Sequence, residues 1–187
     1  AALMALLGGL RKLYPDCSIT IPLKDPKSVE CFPDLKYVNT YSGQFKTSIL
    51  EIWVGVLTKC KLSRNKILKK LIKSLSSSDL IIYGPGGSVI NDRFFWRKQM
   101  EYLLPFICAK FYRVPLYVAA PSIGPFTKRN NFIRTWLLKT AKILCVREDI
   151  SKEYLNTIGI NKNVEVTIDS AFLSEINESD NQEKLEN

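Results

Sequence analysis

The chain has 187 residues, 46% hydrophobic and 24% charged, a composition that fits a soluble globular protein and excludes a disordered or fibrous one. Lys and Arg outnumber Asp and Glu by 27 to 18 and there is no histidine, which argues against a zinc site of the usual kind. No apolar run approaches the ~20 residues that span a bilayer.

The first predicted element is a helix over Ala1–Tyr14, where Leu3, Leu6, Leu7, Leu10 and Leu13 recur at helical spacing. That periodicity, and the lack of a basic leader, favour a core helix over a signal peptide. A strand over Cys17–Ile21 follows, then a loop with Pro22, Pro26 and Pro33, then a short strand over Leu35–Val38. Two helices are expected next, over Phe45–Leu57 and Arg64–Leu75. From Ile52 to Ser78 there is no acidic residue, while Lys59, Lys61, Arg64, Lys66, Lys69, Lys70 and Lys73 crowd together. Such a face attracts phosphates, acidic polymers or an anionic membrane surface, and a merely solvated lysine-rich helix is the plain alternative. No helix-turn-helix, RNP, KH or zinc-finger pattern accompanies the charge, so nucleic acid is not expected as a partner.

The stretch Asp79–Asp92, DLIIYGPGGSVIND, is the most informative. Leu80–Tyr83 reads as a buried parallel strand that breaks into Gly84-Pro85-Gly86-Gly87-Ser88. Glycines let the backbone turn sharply and let a ligand approach the main chain. In open α/β sheets ligands bind beyond the carboxyl ends of strands, which makes Gly86, Gly87 and Ser88 candidate binding residues. The spacing matches neither GxGxxG nor the phosphate loop, and a plain tight turn explains it equally well. Asn91-Asp92 either caps the helix expected over Arg93–Tyr112 or holds a sugar hydroxyl.

A second loop of the same kind follows the strand Pro115–Ala119, where Ser122 offers a hydroxyl and Gly124-Pro125 a rigid turn. Next come a helix over Lys128–Thr140, a strand over Lys142–Val146, and Arg147-Glu148-Asp149 directly after it. Arg147, at a strand's carboxyl end, is well placed to hold a carboxylate or phosphate bidentately. A salt bridge to Glu148, Asp149 or Asp169 is the alternative. Asp149 or Ser151 is expected to cap the helix Asp149–Ile158, which stops at Gly159. The strand Val164–Ile168 ends at Asp169-Ser170, where Asp169 could anchor a loop.

Strands separated by helices predict a Rossmann-like, doubly wound, mostly parallel sheet over residues 1–174. Such a sheet opens with a central strand, so a leading helix implies a first strand upstream of Ala1. Residues 175–187, with five acids and one lysine, read as an acidic linker or disordered tail. The cysteines Cys17, Cys31, Cys60, Cys108 and Cys145 are odd in number and widely spaced, which points to reduced thiols and a cytoplasmic setting. Cys108 and Cys145 read as small buried hydrophobes.

The motifs DLIIYGPGGSVIND, PLYVAAPSIGPF, AKILCVREDISKEYLNTIGI and VEVTIDSAFL, in that order, resemble the polysaccharide pyruvyl transferase family. Its members carry a glycine-rich turn after a strand, a G-I-G-P-F loop, a V-R-E…S…L…G segment and a D-P-A-F ending. Here Pro85 interrupts the glycines, Ser122 stands where glycine is common and Ser170 where proline is common. The family's opening G-N-x-G-D and its histidine-bearing R-x-H motif would lie outside this chain. The resemblance implies the amino-terminal half of a two-domain, glycosyltransferase-B-like fold. It implies transfer of a pyruvyl group from phosphoenolpyruvate to hydroxyls of a saccharide acceptor, with no cofactor. Arg147 matches the family arginine placed to bind the donor, the general acid is expected outside this chain, and the chain alone is expected to be inactive. The alternatives are a glycosyltransferase of the same fold using a nucleotide sugar, and a non-catalytic module binding anions or glycans.

Overall fold

The structure is a computed structural model that describes residues 2–23, 35–39, 48–84, 89–90, 96–126 and 131–168. Its elements run α1 (Ala2–Leu13), β1 (Thr20–Leu23), β2 (Lys36–Asn39), α2 (Ile49–Leu57), α3 (Lys66–Ser76), β3 (Ile81–Tyr83) and β4 (Val89–Ile90). They continue with α4 (Trp96–Tyr112), β5 (Leu116–Val118), β6 (Ser122–Ile123), α5 (Asn131–Leu138), β7 (Ile143–Val146), α6 (Asp149–Thr157) and β8 (Val164–Val166). Every strand pair among the described residues is parallel. The main sheet has the order β3-β5-β7-β8, beside the separate pairs β1–β2 and β4–β6. The chain is thus mixed α/β with a parallel sheet, as helices alternating with strands require.

Register sets which side chains share a face, because side chains alternate along a strand. Ile81 pairs with Leu116, Val118 with Leu144, and Leu144 with Val164, and all of these are buried. Onto this face pack Phe106, Ile107 and Cys108 of α4, Leu137 and Leu138 of α5, and Leu155 of α6. Ile52 and Val56 of α2 and Leu68 and Ile72 of α3 complete the same core. Tyr112 donates from Oη to the Val56 carbonyl and ties α4 to α2. The opposite face carries Tyr117 against Ile143 and Cys145 against Glu165, which remain half-buried or exposed. A doubly wound sheet would have helices on both faces, whereas among the described residues they cover one.

A smaller cluster forms where α1 lays Leu3 and Leu7 against Ile19, Ile21 and Leu35 around β1–β2. Leu13, expected on the core face, is exposed at the end of the helix. Pro22 lies inside β1 and not in the following loop, and Cys17 lies outside the strand. Lys36 N donates to the Ile19 carbonyl, so alternate residues of β1 from Ile19 onward face β2 and Pro22 faces away. Its missing N–H therefore breaks no bond of that ladder.

Local chemistry sets the helix ends. Ser48 accepts from Glu51 N at the start of α2, and Asn65 accepts from Ile67 N and Leu68 N at the start of α3. After α6, Gly159 N donates to Asn156 O and Ile160 N to Leu155 O, the paired bonds of a glycine-terminated helix. Cys108 is the buried hydrophobe expected of it, and burial pushes its thiol up to about 12. Cys145 is only half-buried, with its thiol raised chiefly by the same desolvation.

Candidate functional site

Parallel pairing brings the carboxyl ends of β3, β5, β7 and β8 to one edge. Gly84 follows β3 with φ +113, and a Cβ there would fall 2.3 Å from the Ala119 carbonyl oxygen. Only glycine allows the chain to pass this close to the end of β5. Ala120, also left-handed, donates from N to the Cys145 carbonyl and joins β5 to β7. Thr167 N donates to the Val146 carbonyl, so the chain beyond β8 runs beside the residue before Arg147.

Beyond this edge, β6 pairs with β4 in the register Val89↔Ser122. Both segments, expected as loops, are strands of two residues, too short to show a period in the sequence. The pairing seats Val89 beside Ser122. Gly86, Gly87, Ser88 and Asn91 lie outside the described residues, as does Asp169.

Ser122, Arg147 and Glu148 close a triangle. Arg147 donates from Nε to Ser122 Oγ at 2.6 Å and to Glu148 Oε1 at 2.9 Å. Ser122 Oγ donates to the same Glu148 oxygen at 2.8 Å. The Ser122 hydrogen bond, with help from Arg147, holds the Glu148 carboxyl below its ordinary value against the opposing cost of desolvation. The side chains of Arg147 and Glu148 are 28% and 42% exposed, so solvent reaches the pair. The expected salt-bridge partner is therefore present, and it shares its carboxylate with the candidate binding serine.

Behind the triangle, α6 holds the loop from Ser122 to Phe126. Ser151 Oγ accepts from Ile123 N at 3.0 Å, and Tyr154 Oη accepts from Phe126 N at 2.8 Å. These residues are one turn apart and share a face of α6. Gly124 has φ +91 and lies flat against Tyr154, where a Cβ would come within 2.2 Å of the ring. The Gly124–Pro125 peptide is cis. Phe126 meets the Tyr154 ring edge-on at 5.5 Å, and the buried Arg134 guanidinium lies 4.9 Å over Phe126.

This corrects the expected cap of α6. Glu148 occupies the N-cap position without a side-chain cap bond, Asp149 begins the helix, and Ser151 serves the neighbouring loop. A serine in the first turn is read as a cap by local rules, but here the buried Ile123 amide claims it. Tyr154 carries no motif that marks it in the sequence. Its only signal is its place one turn beyond Ser151, on the inward face of an amphipathic helix.

Chemically, the edge offers a guanidinium held by Ser122 and Glu148, a hydroxyl, and the start of α6, where the helix dipole favours negative charge. Glu148, held ionised, orients Arg147 and is a poor proton donor near neutrality. No group of acids and cysteines suited to a metal ion occurs among the described residues.

A parallel α/β sheet with turn loops along its carboxyl edge is consistent with a Rossmann-like fold, in which that edge is where ligands generally bind. The family model for polysaccharide pyruvyl transferase matches residues 1–185, and the chain belongs to that family. A search of curated proteins found no match, and a search of solved structures found none.

Proposed function

We propose that this chain is the donor-binding half of a pyruvyl transferase with a two-domain, glycosyltransferase-B-like fold, acting in the cytoplasm. It would transfer the pyruvyl group of phosphoenolpyruvate to two hydroxyls of a sugar in a cell-surface polysaccharide, forming a ketal and releasing phosphate. In that reading a strand ahead of α1 would complete the sheet between β1 and β3, whose second edges take no partner among the described residues. Thr20 would carry the pairing on β1, because Pro22 has no N–H to give.

The observation that carries the reading is Arg147, fixed through Nε by Ser122 and Glu148 at the carboxyl edge. The reaction needs such a group. A proton added to the enol methylene leaves positive charge on the neighbouring carbon. One sugar hydroxyl adds there and gives up its proton. The second displaces phosphate, which takes the second proton. Cations fixed on the donor's phosphate or carboxylate stabilise that course. Arg147 would supply one, with Ser122 and Gly124 shaping its surroundings and Gly86, Gly87, Ser88 and Asn91 completing the donor loop. The general acid would come from outside this chain, so the chain alone would be inactive. Peripheral association with an anionic membrane surface belongs to the same reading, supported by the acid-free basic stretch over residues 52–78.

The test is phosphate release from phosphoenolpyruvate by the intact protein, beside its melting temperature. Arg147→Ala should lower turnover roughly 30- to 1000-fold, or ~2–4 kcal/mol, with the fold retained. Arg147→Lys should restore only part, lacking the planar fork. A lower melting temperature with near-wild-type turnover would reduce Arg147 to a structural ion pair.

A further inference from the structure

The outer surface of the layer formed by α2, α4 and α5 is apolar and basic at once. On α2, Leu50 and Leu57 are 74% and 64% exposed and lie on one stripe, two turns apart. Trp53, on the same stripe, stands edge-on to the exposed Phe111 of α4 at 5.7 Å. Lys110, the residue before it on α4, holds Nζ 5.4 Å from the Trp136 ring of α5. One turn back on α5, Phe132 is 81% exposed. Contacts thus run across three helices. Leu62, 70% exposed, carries the strip into the turn between α2 and α3.

The charge along these helices is mostly basic, the acids of α2 and α4 being Glu51 and Glu101. No acidic residue occurs from Ile52 to Ser78, or from Tyr102 to Arg147. Glu51, the acid of α2, accepts from Asn65 N and Ser63 Oγ at the base of the turn. Lys59, Lys61 and Arg64 are exposed in the turn that carries Leu62, and Lys70 is exposed on α3. The turn is firmly built. Lys59 and Cys60 both take left-handed φ, and Thr58 Oγ1 donates to the Val54 carbonyl and accepts from Leu62 N. Two successive non-glycine residues held in that region mark a conformation the surroundings maintain.

Leucines and aromatic rings among lysines, with no acid between them, suit the interfacial zone of a charged bilayer. Apolar groups enter the headgroup boundary while lysines reach the lipid phosphates along their own alkyl stems. A free polyanion would engage the lysines and leave Leu57, Leu62 and Phe132 in water. We propose that this surface docks the protein on an anionic lipid bilayer, with Leu57, Leu62 and Phe132 as the inserted groups. The proposal rests on the membrane-association part of the reading above and on none of its pyruvyl chemistry.

The experiment is co-sedimentation of the intact protein with phosphatidylcholine vesicles, plain or doped with phosphatidylglycerol, on samples also assayed for phosphate release. Doped vesicles should bind at least ~10-fold more tightly, and the preference should fade as salt rises. Lys59→Gln, Lys61→Gln and Lys70→Gln together should lower that affinity ~100-fold, at roughly fivefold per charge. Leu57→Ser, Leu62→Ser and Phe132→Ser together should lower it at least ~10-fold with every charge intact. The three positions are exposed, so an unchanged melting temperature will verify the fold. Equal affinity for the two vesicles, no binding, or wild-type binding by the serine variant would each overturn the proposal. Self-association lost in the serine variant, with no vesicle binding in the parent, would give the surface to a second copy instead. Phosphate release without vesicle binding defeats only the docking surface. Vesicle binding without phosphate release defeats only the transferase reading.

Discussion

Two loops of this molecule hold left-handed residues in place by opposite means. The turn between α2 and α3 does so locally: Thr58 bonds within its own turn, and Asn65 caps the helix that follows. The loop from Ser122 to Phe126 depends on residues 25 to 28 positions away, through Arg147, Ser151 and Tyr154. The turn needs only its two helices to meet, whereas the loop exists once β5, β7 and α6 are assembled. Damage to the loop should therefore reach the fold and the proposed donor site together. Damage to the turn should lower stability and leave the donor site as it was.

Glycine substitutions put the largest load on that contrast. Gly124→Ala forces a side chain onto φ +91 and into the Tyr154 ring, which is itself held by Phe126. The expected loss is about 2–4 kcal/mol in urea denaturation, together with weaker turnover of phosphoenolpyruvate. Gly55→Ala on α2 is the control. Its Cβ would meet the end of the Ile72 side chain at 3.0 Å with no unusual backbone angle. The helical backbone gains and Ile72 must yield, so the change should stay within about 1 kcal/mol. Equal costs at the two glycines would break the comparison.

The two α6 side chains should then separate. Ser151→Ala strands the buried Ile123 amide without its acceptor, at about 1–3 kcal/mol. Tyr154→Phe keeps the ring against Gly124 and Phe126 and loses one part-buried bond, at about 1 kcal/mol. Hydrogen exchange at Ile123 should quicken in the serine variant and stay slow in the tyrosine variant. Loss of protection at Ile123 in both would mean that the loop opens as a unit.

This division also explains what could be read in the sequence. The alternation of apolar runs gave the order of helices and strands, because burial of a strand or a helix stripe shows in its own period. Gly159 as the stop of α6 is likewise a local signal, and the structure supplies its two bonds. The place of Arg147 at a strand's end followed from the same alternation. Ser151 was misread because a local rule competes there with a tertiary partner 28 residues away. The pairing of β4 with β6 escaped because two-residue strands leave no pattern. The bond from Ser122 to Glu148 escaped because nothing in either neighbourhood announces the other. Pro22 was read as a loop residue, and only the register of β1 shows why a strand tolerates it.

On the local side of the comparison, Asn65→Ala removes the acceptor from Ile67 N and Leu68 N at once. The expected cost is about 1 kcal/mol, read as a shifted urea midpoint with unchanged slope. Phosphoenolpyruvate turnover, measured well below the melting temperature, should not change. A fall in turnover would mean that the turn and the donor site are coupled through α4.

The smallest expected effect lies at Glu148 and probes the site's electrostatics. Its carboxyl is held below the ordinary glutamate value, first by the Ser122 hydrogen bond and then by Arg147. A carboxyl depressed in the folded state stabilises the fold above its unfolded value and loses that contribution as pH falls through the folded one. Wild type should therefore lose stability faster than Glu148→Gln on acidification below the ordinary glutamate range. At neutral pH the difference between them should be flat. Because the side chain is 42% exposed, water and salt screen the pair, and the difference should stay under about 1 kcal/mol. Urea midpoints across the acid range, at low and high salt, measure it. The same variant separates two roles for the residue. With its carboxyl held below the ordinary value, Glu148 is a poor proton donor near neutrality, and its bond to Arg147 makes it a positioning group. Glu148→Gln should then raise KM for phosphoenolpyruvate, through a less firmly aimed guanidinium, and leave the pH–rate profile near neutrality in place. A limb of that profile vanishing in the variant would make Glu148 the acid and overturn its assignment as a positioning group.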